Sequence, residues 1–156
     1  MKLTLLVVGK TTDKHLEPLI DDYCRRICHY TPFEIKVIPE LRNAKSLSQE
    51  QQKAQEGRLI LQQTDAATLL ILLDERGKQM RSVDFAQYMQ QQFNAARNIC
   101  FVVGGPYGFS KEVYDRADGQ LSLSKMTFSH QMIRLLFTEQ LYRALTILRG
   151  EPYHHE

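Results

Sequence analysis

The chain has 156 residues, 43% hydrophobic and 24% charged, with a formal net charge of +2. That length is enough to bury one proper core and predicts a single domain over residues 1–156. The balance excludes the strong basic excess of a dedicated duplex-DNA binder, and no apolar run approaches the ~20 residues that span a bilayer.

Leu3–Val8 is a continuous apolar run stopped by Gly9, as expected of a strand buried on both faces. Leu16, Leu19, Ile20, Tyr23, Cys24, Ile27 and Cys28 recur at helical spacing. They predict an amphipathic helix beginning near Pro18, with both cysteines on its apolar face. Phe33–Ile38 predicts a second strand, stopped at Pro39. Ser46 and Gln49 have capping-box spacing and open a polar helix to about Gln63. Thr68–Leu73 is a third buried strand, followed by a predicted turn at DERGK, and Ser82 is placed to cap a helix carrying Phe85, Ala86, Met89 and Phe93 on one face.

Ile99–Val103 is the fourth strand and runs directly into GGPYG. A short helix from Ser110 to Ala117 and a brief strand, QLSLS, follow. The last helix runs from Ser129 to about Leu148, with an apolar stripe through Met132, Ile133, Leu136, Phe137, Leu141, Ala144, Leu145 and Leu148. Deep burial or a subunit interface would each account for that width. Alternating strands and helices predict one parallel, doubly wound, Rossmann-like α/β sheet.

Several familiar chemistries are excluded by spacing. VVGKTT resembles the end of a phosphate-binding loop, but the required first glycine falls on Thr4, inside the strand. Gly104, Gly105 and Gly108 follow the fourth strand rather than the first, so they are not the dinucleotide fingerprint. Cys24, Cys28 and His29 lack a second ligand pair, and no metal is expected. The three cysteines form no disulfide framework and point to a reducing, cytoplasmic setting, with no membrane partner. There is no G-x-S-x-G elbow. What remains is a glycine loop at the carboxyl end of a buried strand, where ligands bind in α/β sheets, and a second polar loop, LSLSKMTFSH, just downstream. Together they predict a pocket. Glu139 and Arg143 read as a helix-surface pair of modest worth. The tail Tyr153-His154-His155 is rich in groups that stack on bases or move protons.

LLDERGK, VVGGPYGF, LSLSKMTFSHQMIRLLFTEQLYRA and a terminal PYHHE occur in this order. In this combination the chain resembles, over its whole length, the large-subunit ribosomal RNA methyltransferase H family, the small members of the SPOUT class. The resemblance implies a homodimeric fold with a C-terminal trefoil knot, using S-adenosyl-L-methionine (SAM) to methylate N3 of a pseudouridine in helix 69 of 23S rRNA, in the assembled ribosome. By position it implies a SAM site at Leu73, Gly104, Gly105, Gly108 and the run Leu123, Ser124, Lys125, Met126, Thr127, Phe128. It further implies catalytic roles for His130, Arg134, Tyr153 and His154. His155 stands where the family often has Arg or Lys. Either His130 or His154 would take the imide proton, or Arg134 would favour the imide anion with water as acceptor. A flavodoxin-like phosphate-cofactor binder and a non-catalytic ribosome-associated dimer are the competing readings.

Overall fold

The computed structural model describes residues 1–156. Five strands and five α-helices alternate along the chain: β1 (Leu3–Val8), α1 (Leu16–Cys28), β2 (Phe33–Ile38), α2 (Gln49–Gln62), β3 (Leu69–Gln79), α3 (Ser82–Asn94), β4 (Ile99–Val103), α4 (Lys111–Arg116), β5 (Gly119–Ser122) and α5 (His130–Leu148). All neighbouring strands are parallel, in the order β2-β1-β4-β3-β5. Strand periodicity splits the apolar residues between the two faces. Leu3, Leu5, Val7, Ile99, Phe101 and Val103 face α1, α3 and α5, while Leu6, Cys100, Val102, Leu70 and Leu72 face α2 and α4. The first layer is the larger core, with Phe101 and Phe137 at its centre, ring centroids 4.7 Å apart.

Helix α5 lies against both α1 and α3, which accounts for most of its wide apolar stripe, leaving Met132 exposed. Ser129 caps it by accepting the Met132 amide, and Gly150, at φ +68°, ends it.

Four local expectations shift. Helix α1 starts at Leu16, because Asp13 Oδ1 accepts the amides of His15 and Leu16; Pro18 falls within the first turn, where its missing N–H costs nothing. The capping box is built by Ser48 and Gln51; Ser46 closes a preceding turn of 3-10 helix onto Asn43. Ser82 is the first residue of α3 rather than its cap, and its hydroxyl donates to Gln140 Oε1 at 2.8 Å. Cys28 is exposed, and only Cys24 packs against the core.

The largest departure is DERGK, which is not a turn that ends β3. Leu73 and Lys78 both pair with Leu121 of β5, so Asp74–Gly77 arch out of the ladder while the strand resumes on the far side. Gly77 closes the arch: a Cβ there would lie 2.7–2.9 Å from the backbone of Gln120 and Leu121. Asp118 ties the other end of β5, accepting the Leu70 amide while its own amide donates to the Leu70 carbonyl, each at 2.8 Å. Backbone cannot yield as a flexible side chain can, so Gly77→Ala is expected to cost about 2 kcal/mol. Its thermal midpoint should fall by roughly 4–8 °C, read by differential scanning calorimetry; an unchanged midpoint would contradict the arch.

Candidate active site

In a parallel sheet every strand delivers its carboxyl end to the same edge, and connecting loops there build the ligand site. Here three loops meet: the Asp74–Gly77 arch after Leu73, the glycine loop after β4, and the 123–128 loop between β5 and α5. They enclose a cavity of about 470 Å³, half of its 20 lining residues hydrophobic. That is the size and character of a small-molecule site. Leu73, Gly104, Gly105, Gly108, Leu123, Ser124, Met126, Thr127, Phe128 and His130 all line it, and Lys125 does not.

Two different constraints act on the three glycines. Gly108 sits at φ +84° and donates its amide to the Gly105 carbonyl at 3.1 Å, closing a turn over Pro106 and Tyr107. The space beside Gly104 is taken by the Phe109 ring, 3.0 Å from where a Cβ would stand, and the space beside Gly105 by the Glu56 carboxyl group. The space a Cβ would take at Gly104 and at Gly105 is thus filled by the protein's own side chains.

The arch brings a polar wall that the sequence reading missed. Asp74 accepts from the Tyr114 hydroxyl and from the Arg76 amide at 3.0 Å; Arg76 Nη2 donates to the same Tyr114 oxygen at 2.7 Å. Burial pushes the Asp74 carboxyl up, but these donors and the Arg76 charge outweigh it and hold the group below its ordinary value. Glu75 accepts from the Thr127 hydroxyl, latching the arch to the 123–128 loop. The loop also holds itself, with Ser122 Oγ donating to the Ser124 carbonyl and Ser124 Oγ accepting the Met126 amide. DERGK looked like a turn because its partners are more than 35 residues away in sequence.

The expected catalytic residues are divided. His130, the first residue of α5, lines the cavity. Arg134 does not: it is 1% exposed and donates to the Val8 carbonyl at 3.0 Å and Thr11 Oγ1 at 3.1 Å, its Nε without a partner. Burial lowers its affinity for the proton. In this position it fastens α5 to the end of β1. Tyr153 and His154 form a separate cluster on the second half of α5. Arg143 is bonded to Glu139 Oε1 at 2.5 Å and to His154 Nδ1 at 3.1 Å, and Tyr153 donates to Glu139 Oε1 at 3.0 Å. Burial and the hydrogen bonds with Tyr23 and Glu139 push the Tyr153 hydroxyl well above the usual phenol range. The tail is thus packed rather than frayed, and Glu139–Arg143 is its anchor instead of a lone surface pair. Cys24, Cys28 and His29 gather no metal-binding group.

A family model described as "Predicted SPOUT methyltransferase" matches residues 1–154. The chain belongs to the SPOUT methyltransferase family. It is 55% identical to the "Ribosomal RNA large subunit methyltransferase H" of Bacteroides fragilis over 157 residues, covering 100% of both chains. The proteins of that name from Christiangramia forsetii and Flavobacterium psychrophilum are 54% and 50% identical, over 99% and 100% of each chain. SPOUT membership makes this chain a methyltransferase of the knotted fold class, a threading that strand and helix periodicity does not express.

Tyr114→Phe removes the hydroxyl that supports Asp74 in this SPOUT site and is expected to cost about 1 kcal/mol at neutral pH. The Asp74 carboxyl lies below its ordinary 3.8 in the fold. Its contribution is therefore present above that value and lost as pH falls through the lower folded value. The difference between wild-type and variant thermal midpoints should narrow below about pH 4; a pH-independent difference would exclude this account.

Proposed function

We propose that this chain uses SAM to methylate N3 of a pseudouridine in helix 69 of 23S rRNA, acting in the cytoplasm as a homodimer on the assembled ribosome. The observation that carries the reading is the convergence of Leu73, the glycine loop and the 123–128 loop on one cavity of about 470 Å³, in a chain whose relatives are named for ribosomal RNA methylation.

The cavity fits the methyl donor. Apolar walls from Leu73, Val103, Leu121 and Ile133 suit an adenine ring, and loop backbone supplies uncharged donors and acceptors. Asp74 and Glu75, with Arg76 offsetting one of them, leave the arch side of the cavity net negative, favourable to a sulfonium. The methyl group arrives already activated, so the protein's work is orientation, exclusion of water and deprotonation of the acceptor. In the displacement the N3–C bond forms as the C–S bond breaks, and the imide proton passes to a base. His130 is the histidine at this cavity and is the favoured base within one chain. His154, with Tyr153 and Arg143, is held away from its own cavity; a second copy is the arrangement that would present this cluster to a site. Arg25, Arg26, Arg76, Lys78 and Arg81 are candidate phosphate contacts, and the exposed ion pairs of Arg25, Arg26 and Arg81 are readily exchanged.

Calorimetric titration should give saturable SAM binding and no ATP binding. Gly104→Val, which drives a branched side chain against Phe109, should weaken SAM at least tenfold, about 1.4 kcal/mol. Methyl transfer should be seen on ribosomes, and His130→Ala should lower kcat by about 10²-fold if it is the base. Full activity in His130→Ala with loss in His154→Ala would assign the proton to the tail; ribosome binding without SAM binding would replace the enzyme reading with the non-catalytic one.

A further inference from the structure

Glu56, in α2, is a buried acid without an evident reason. It lies in the helix that covers the face opposite α5, one turn before Ile60, and is 4% exposed. One carboxyl oxygen has no hydrogen-bond partner, and the other is 3.4 Å from Gln52 Nε2. A buried carboxyl oxygen without a partner is unfavourable.

The carboxyl group occupies the place of a missing side chain. Its three atoms stand 2.3, 2.6 and 2.7 Å from where a Cβ of Gly105 would be. Gly105 is not among the glycines at positive φ, so its own backbone does not demand glycine; a side chain there would have to displace the Glu56 carboxyl from the place it fills. The neighbouring residue repeats the arrangement. A Cβ on Gly57 would lie 2.5 Å from Ser110 Oγ, the hydroxyl that caps α4. Helix α2 therefore grips the glycine loop from behind at both ends, at Gly105 and at Ser110. Between those points Pro106, Tyr107, Gly108 and Phe109 form one wall of the cavity.

We infer that Glu56 is a positioning residue for the methyl-donor site, its carboxyl group filling the space beside Gly105 and so fixing the wall formed by residues 106–109. This rests on the reading of the cavity as the SAM site. Burial raises the Glu56 carboxyl from its ordinary value, the contact with Gln52 opposes that, and the negative charge of Glu40, after β2, adds to it. The side chain acts by its shape, so its amide analogue should serve as well.

The test combines Glu56→Ala, Glu56→Gln, Gly105→Ala and the double variant Glu56→Ala/Gly105→Ala. For each, SAM affinity is measured by calorimetry, thermal midpoint by scanning calorimetry, and KM for donor and ribosome separately from kcat. Glu56→Ala should weaken SAM and raise its KM about tenfold, with kcat and the ribosome KM within about threefold of wild type. Glu56→Gln should stay within about threefold of wild type in every constant. Gly105→Ala should bind SAM as poorly as Glu56→Ala, and the double variant should bind better than Gly105→Ala alone, a coupling of neighbours. Unchanged SAM affinity in Glu56→Ala with a lowered midpoint would overturn the inference in favour of a purely stabilising role. A double variant no better than Gly105→Ala would overturn it also. If Glu56→Ala does not fold, Glu56→Gln and the double variant decide. Absence of SAM binding in the wild type would overturn the pocket reading together with this one, whereas binding that is intact throughout overturns this one alone.

Discussion

The site depends on β5 being held against β3. Asp118 clamps one end of β5 to Leu70, and Gly77 lets the backbone of Gln120 and Leu121 close on the other side of the arch. This short strand sets where the 123–128 loop begins, and the arch it spans supplies Asp74, Glu75 and Arg76 to the cavity. Without that pairing, the glycine loop after β4 would face open solvent. The cavity is therefore a product of sheet register, and the same four residues that finish the sheet also place its third wall.

The walls are held by unlike means. The glycine loop is shaped by steric exclusion, with Phe109 and Glu56 standing where side chains of Gly104 and Gly105 would be. The 123–128 loop is shaped by short-range hydrogen bonds through Ser122 and Ser124 and by the Glu75–Thr127 latch. Helix α5 enters from the third side, with His130 at the cavity and Arg134 fastened to Val8 and Thr11 one turn later. Met126 has its amide held by Ser124 Oγ, while its side chain is 75% exposed. Walls held in these three ways, with one exposed apolar side chain beside them, suit a site that must admit a small donor and then a large RNA surface.

Much of this was legible in the sequence because it is local. Continuous apolar runs identified β1, β3 and β4 as strands buried on both faces, and helical spacing found α1, α3 and α5 to within a few residues. The pocket was signalled by glycines at a strand end followed by LSLSKMTFSH. What escaped was set by partners distant in sequence. SLSQEQQ contains two overlapping capping-box patterns, and the 3-10 turn at Ala44–Ser46 selects the second. The bonds of Arg134 to Val8 and Thr11 become apparent only once α5 is laid over the end of β1. DERGK reads as a turn until β5 is present to carry the strand past it. Glu139 and Arg143 look like an ordinary surface pair until Tyr153 and His154 fold back on them. The threading of the chain has no periodicity at all and came from family resemblance.

The contact between Arg134 and the Val8 carbonyl joins residues 126 positions apart. Residues 1–103 already carry four of the five strands, yet one face of their sheet, flanked by α1 and α3, stays open between them until α5 packs there. Closing so large a loop is slow compared with forming local helices. On a translating ribosome, the larger core is thus the last to close. The nascent chain must carry exposed Phe101 and Leu5 until nearly its whole length has emerged, which makes the interval before release the period of greatest exposure to aggregation.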